Sequence, residues 1–138
     1  MPPLSRWFIR TSFIYLVATF LTGLLAALAP TWEALPTAGR LTPLYYHLFM
    51  LGWVSQLIFG VGNWMFPVYS REAPRRSERL GWAVYILLNS GLVLLLVGEL
   101  MRGNAEPAGS WLAALATLLL WLAGLAFVTN TWGRIKGH

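Results

Sequence analysis

The chain contains no cysteine and no aspartate, and its five acidic residues are all glutamates. Without cysteine there are no disulfides, no cysteine-zinc sites and no cysteine-held iron–sulfur clusters. Without aspartate, every mechanism that turns on that residue is excluded. Charged residues are scarce, at 11% against 57% hydrophobic. There are only two histidines, His47 and the C-terminal His138. A zinc site wants about four ligands, so one intramembrane histidine supplies a metal site only if several copies share it, as in a cyclic trimer. The net charge of +5 raises the question of nucleic acid. The basic residues, however, flank long apolar runs, which is the pattern of membrane topology and not of a DNA-binding surface. No nucleic-acid partner is expected.

Four stretches are long enough to cross a bilayer core, which needs about 20 apolar residues. They run from about residue 7 to 29, 44 to 69, 80 to 101 and 110 to 132. None alternates like a barrel strand, so each must satisfy its backbone as helix. The first is too long for a removable signal peptide and lacks a small-residue cleavage site in a convincing place. Pro30, Pro36 and Gly39 end the first helix. Pro43 suits the first turn of the second, and Pro67 predicts a kink or an end. Gly103, Asn104 and Pro107 mark a short turn. The expected fold is an all-α, integral membrane four-helix bundle in one domain, embedded in lipid. Lys and Arg placement sets its orientation. Eight lie on one side (Arg6, Arg10, Arg71, Arg75, Arg76, Arg79, Arg134, Lys136) and two, Arg40 and Arg102, on the other. Both termini should therefore be cytoplasmic, in a multi-pass protein of the cell inner membrane.

His47 sits just inside the second stretch, and an ionisable ring there is a functional-site hypothesis by default. At about 100° per residue, the residues below it are Met50, Leu51, Val54, Ile58, Val61, Gly62 and Met65. Gly52, Gln56, Phe59 and Asn63 form the opposite face, which reads as a helix-packing seam with Gln56 and Asn63 bonding to neighbours. Trp53, Trp64 and Trp121 lie deep enough to pack between helices or on a cofactor. A histidine above an apolar strip, with small residues nearby, is what an axially ligated haem needs. The topology puts His47 in the outer third of the bilayer, so Arg40 or Arg102 can pair with propionates. Three readings of His47 stay open on the residues alone: an interfacial or helix-bonding polar residue, a cofactor ligand, and a proton carrier.

The run from His47 through Gly52, Trp53, Gly60 and Gly62 to Pro67 resembles the second membrane helix of haem-copper oxidase catalytic subunits. The cbb-type oxidases and the nitric-oxide reductases are the nearest in pattern, along with membrane haem proteins linked to nitric-oxide resistance. Phe13-Ile14-Tyr15-Leu16 with Gly23 resembles their first helix, so the likeness covers roughly the first half of the chain. The resemblance implies haem b on His47. It also implies departures: the family's second axial histidine and its copper-binding histidines have no counterpart here, so a complete oxygen reductase is excluded. The sixth position is left open, and Met101 and Glu99 lie at the matching depth. Met101 is a ligand candidate. Glu99 is a hydrogen-bond partner for a bound ligand or for the second nitrogen of His47.

The resulting expectation is a membrane b-type cytochrome, with one haem per chain and iron on His47. It serves electron transport to a redox partner or binding of NO, O2 or CO. The site residues are His47, Met50, Leu51, Val54, Ile58, Arg40, Arg102, Met101 and Glu99. Four helices barely enclose a haem, so a homo-oligomer is expected. The alternative is a non-haem accessory or assembly subunit of a respiratory complex. No catalytic residue set is visible, and no enzyme class is assigned. The charge asymmetry makes one prediction. Reporter domains fused to the N-terminus, the Arg71–Arg79 loop and the C-terminus should all report the cytoplasm, while one inserted near Arg40 should report the opposite side. A split between the two termini would overturn the orientation.

Overall fold

A computed structural model describes residues 1–32, 38–72, 75–102 and 107–135, with backbone alone at residues 38 and 40. Pro36, Gly103, Asn104, Lys136 and His138 lie outside the described residues, as does the Arg40 side chain. Every regular element among the described residues is helical. Four helices are long and apolar enough to cross a membrane: Pro3–Leu28, Leu41–Met65, Glu78–Arg102 and Pro107–Trp132. The first is α1 (Pro3–Leu28), with proline at its start, where a missing N–H costs nothing. The second span is composite: α2 (Ala38–His47), a π-helical stretch (Leu48–Ser55) and α3 (Gln56–Met65). The third and fourth are α4 (Glu78–Arg102) and α5 (Pro107–Trp132). Pro43 lies inside α2 and not in a first turn, because the helix begins at Ala38. Pro67 follows the end of α3, and the backbone turns extended at Phe66.

The π-helical stretch has a cause in the sequence. Leu44, Leu48, Gly52, Gln56 and Gly60 are all buried and recur every four residues. At about 100° per residue an α-helix drifts ~40° at each such step, so four steps would carry the seam well round the helix. Wider i→i+5 turns absorb that drift. Ser55 Oγ fits this winding, since it donates to the carbonyl five residues back, Met50 O, at 2.8 Å.

The helices pack by close approach of small residues, as membrane helices do. A methyl added at Gly52 would sit 2.7 Å from the Tyr15 ring, and one at Gly60 would sit 2.8 Å from Phe8 Cβ. Across α4 and α5, a Cβ on Gly98 would meet the Ala113 nitrogen at 2.9 Å, and one on Gly91 would meet Leu120 at 3.0 Å. The main core joins Leu4, Phe8, Val84, Leu88, Leu92 and Ala123. Phe59 and Phe127 stack at 3.9 Å between the second and fourth spans. The expected seam is present. Asn63 Nδ2 donates to Ser5 Oγ at 3.1 Å, and fully buried Gln56 makes a long 3.5 Å bond to Asn89 Oδ1. Trp64 and Trp121 do not pack between helices but face outward, at 50% and 61% exposure. Their helices have no further neighbour on those sides.

Arg134 ties the end of α5 to the end of the second span. Its Nε donates to Pro67 O at 2.9 Å, and its Nη2 to Phe66 O at 2.7 Å and Asn63 O at 3.1 Å. These carbonyls end a helix and have no partner in it. Asn130 closes the same end, exchanging two bonds with the Ser77 backbone. The packing predicts that Gly98→Ala lowers the stability of the detergent-solubilised protein by about 1–3 kcal/mol, the usual cost of overpacking. Gly124→Ala, where nothing lies within 4 Å, should not lower it. Thermal unfolding of the two variants checks this, and equal behaviour would contradict the helix contact.

Candidate functional site

The second span begins at Leu41, which puts His47 about 9 Å inside it by helix rise. The ring is half-buried. His47 Nδ1 lies 2.7 Å from the carbonyl oxygen of Pro43, one turn earlier. A carbonyl only accepts, so Nδ1 carries the proton in the neutral ring and Nε2 keeps its lone pair. A backbone carbonyl on one nitrogen is the device that fixes a histidine's tautomer and leaves the other nitrogen for a ligand.

The π-helical stretch starts at the next residue, Leu48. Such segments gather at functional sites. Here it also turns the helix face. At a constant 100° per residue Ile58 would lie almost directly below His47; the wider turns carry it round, so the expected strip does not stay intact. Leu51 packs against the main core. Met50 and Ile58 face outward, at 51% and 56% exposure, and Val54 is half-buried. An apolar groove of about 570 Å³ opens lower on the span, lined by Leu57, Ile58, Val61, Gly62, Met65 and Phe66. It starts ten residues past His47, so it is separate from the histidine.

The remaining candidates lie at the same end of the bundle as His47. Glu99 Oε1 accepts from Arg102 Nη1 at 2.9 Å. That pairing occupies Glu99, and the second nitrogen of His47 is held by Pro43. Met101 is half-buried in the last turn of α4. Arg40 is in the first turn of α2. Among the described residues, no group of three His or Glu side chains is placed to hold a metal ion. Among the described residues the imidazole donor is His47 Nε2.

Beside His47 an aromatic ladder lines the second span. Tyr45 stacks on Phe49 at 6.2 Å, and Phe49 meets Trp53 edge-on at 5.1 Å. Trp53 Nε1 and Gln56 Oε1 are buried and have no partner among the described residues. The sequence reading missed the Pro43 carbonyl as the group that orients His47. No side-chain pattern signals it, because any residue four positions earlier in a helix puts its carbonyl one turn from the ring. The chain matches no protein-family model, no curated protein and no solved structure.

The hydrogen bond fixes an observable. Nitrogen-15 spectra of the unliganded protein in bilayers should show His47 with a protonated Nδ1 and a bare Nε2. The opposite tautomer would remove the Pro43 interaction.

Proposed function

We propose that this chain is a small membrane b-type cytochrome. It holds one haem per chain through His47 Nε2 and either carries electrons or binds a diatomic gas. The observation that supports this reading is the His47 Nδ1–Pro43 carbonyl bond. It leaves one unprotonated imidazole nitrogen on an apolar span, which is the kind of donor a b-type haem takes. Haem, when bound, would supply one-electron redox chemistry or bind NO, CO or O2.

This chain's own residues do the rest. Pro43 keeps the imidazole in one tautomer and one orientation. Val54, half-buried one turn of the span below Met50, supplies apolar wall. Arg102, and Arg40 across the loop, stand at the end of the spans where propionates are neutralised. Met101 is the candidate for a second axial bond. Met50 is too exposed in one copy to shield a macrocycle, so the site closes against a second copy of the chain. The protein sits in the inner membrane with both termini cytoplasmic, as the positive charge directs.

The test is a reduced-minus-oxidised spectrum of protein expressed with ample haem, beside His47→Ala. The parent should show Soret and α bands, and the variant should lose at least about nine-tenths of them. A band shift on adding CO or NO identifies an open sixth position, and no shift identifies a second protein ligand. A colourless parent after haem reconstitution overturns the cytochrome reading and leaves the accessory-subunit reading in front.

A further inference from the structure

The end of the bundle opposite His47 gathers guanidinium groups. Arg71, Arg75, Arg76 and Arg79 follow the second span, and Arg134 follows α5. Two are already engaged at carbonyls. Arg76 Nη1 donates to Thr129 O and its guanidinium lies over the Tyr69 ring. Arg134, 2% exposed, spends Nε and Nη2 on the end of the second span. Two donor atoms remain. Arg134 Nη1 and Arg75 Nε are buried and meet no acceptor among the described residues. A buried charged donor left without an acceptor is costly, and this end of the protein holds two.

The described carboxylates do not answer that charge. Glu78 reaches Arg75 only at 3.9 Å and is 79% exposed, and exposed pairs of that kind are weak. Burial, and then the charge of Arg75, lowers the pKa of Arg134 from its ordinary value. The two guanidiniums are thus near enough for their like charges to oppose each other.

A small, partly enclosed cavity lies alongside. Leu4, Asn63, Arg75, Ser77, Glu78 and Trp82 are among its walls, and its volume is about 60 Å³; the Glu78 side chain is 79% exposed, so its carboxylate is turned to solvent. Arg134 is not itself a wall, but Asn63, which is, accepts from Arg134 Nη2 at its carbonyl. The first turn of α4 forms another wall. That helix is 25 residues long, and its amide ends favour negative charge. Ser77 Oγ accepts from Leu80 N at 3.1 Å as its cap. The volume is about two waters' share of liquid, which admits one tetrahedral oxyanion and excludes a nucleotide. Trp82 and Leu4 in the wall put the cavity where apolar span meets polar loop, the depth of lipid headgroups.

We infer that this cavity binds a phosphate oxyanion, held between Arg75 and the first turn of α4 with Arg134 behind it. The phosphate of an anionic lipid in the adjoining leaflet and free inorganic phosphate share this chemistry. Depth and apolar walls favour the lipid. The site is at the far end of the bundle from His47 and does not depend on haem.

The test uses the full chain in phosphatidylcholine nanodiscs. Thermal unfolding is followed while phosphatidylglycerol is incorporated, or inorganic phosphate is added, in parallel. Arg75→Gln, Arg75→Lys and Arg71→Gln are compared with the parent. Arg75 is chosen over Arg134 because Arg134 also clamps the second span. Phosphatidylglycerol should stabilise the parent, with apparent affinity falling about tenfold in Arg75→Gln, the loss of one charge-assisted bond. Arg75→Lys should recover part of it, and Arg71→Gln should match the parent. Stabilisation by inorganic phosphate with the same dependence on Arg75 also supports the site and names the soluble ion as its source. Equal stabilisation of parent and Arg75→Gln overturns the proposal, as does an equal loss in Arg71→Gln, which would mean diffuse surface charge. Should Arg75→Gln fail to fold, native mass spectrometry of the parent decides: retention of phosphatidylglycerol no greater than of phosphatidylcholine overturns the proposal.

Discussion

Inside hydrocarbon each backbone N–H and C=O must find a partner in its own helix, while the side chains must follow a contact pattern that the helix does not naturally repeat. The second span carries both demands. Its buried residues return every four positions from Leu44 to Gly60, and an α-helix returns every 3.6. A π-helical stretch reconciles them, keeping the hydrogen bonds while changing the winding. The seam with α1 depends on it, since Gly52 and Gly60 must both face that helix for Tyr15 and Phe8 to fit against them. The direction of everything beyond Ser55 depends on it as well.

The bundle is two hairpins joined along a narrow middle. α1 lies along the second span, and α4 lies along α5. The core of Leu4, Phe8, Val84, Leu88 and Leu92 joins them, with Gln56 to Asn89, Phe59 on Phe127, Phe8 against Tyr85 and the Arg134 clamp among the further contacts. The two ends of the molecule differ chemically. One has His47 and the Glu99–Arg102 pair. The other has the arginine-rich loop and the buried guanidinium of Arg134.

Much of the fold was legible in sequence. Four apolar runs of bilayer length gave four helices, and the small and polar residues at Gly52, Gln56 and Asn63 marked a contact face. The π winding was not assumed, so the strip below His47 was drawn straight and Leu51 was grouped with Ile58. The four-residue spacing of the buried positions was the signal for the change. Arg134 was counted only as a topology marker. Its burial depends on where the ends of α3 and α5 meet, and no local pattern encodes that. Trp64 and Trp121 were placed inward by depth alone, but depth does not say which side of a helix faces lipid.

The acceptor that holds His47 is part of the main chain. Every amino acid carries a carbonyl, so substitution at residue 43 leaves the acceptor in place as long as the helix keeps its path. The orientation of the ring is therefore insulated from side-chain drift in a way that a carboxylate or amide partner would not allow. Selection can retune the imidazole only by reshaping the helix that carries it, and the neighbouring wide turns are the place where that helix is most readily reshaped.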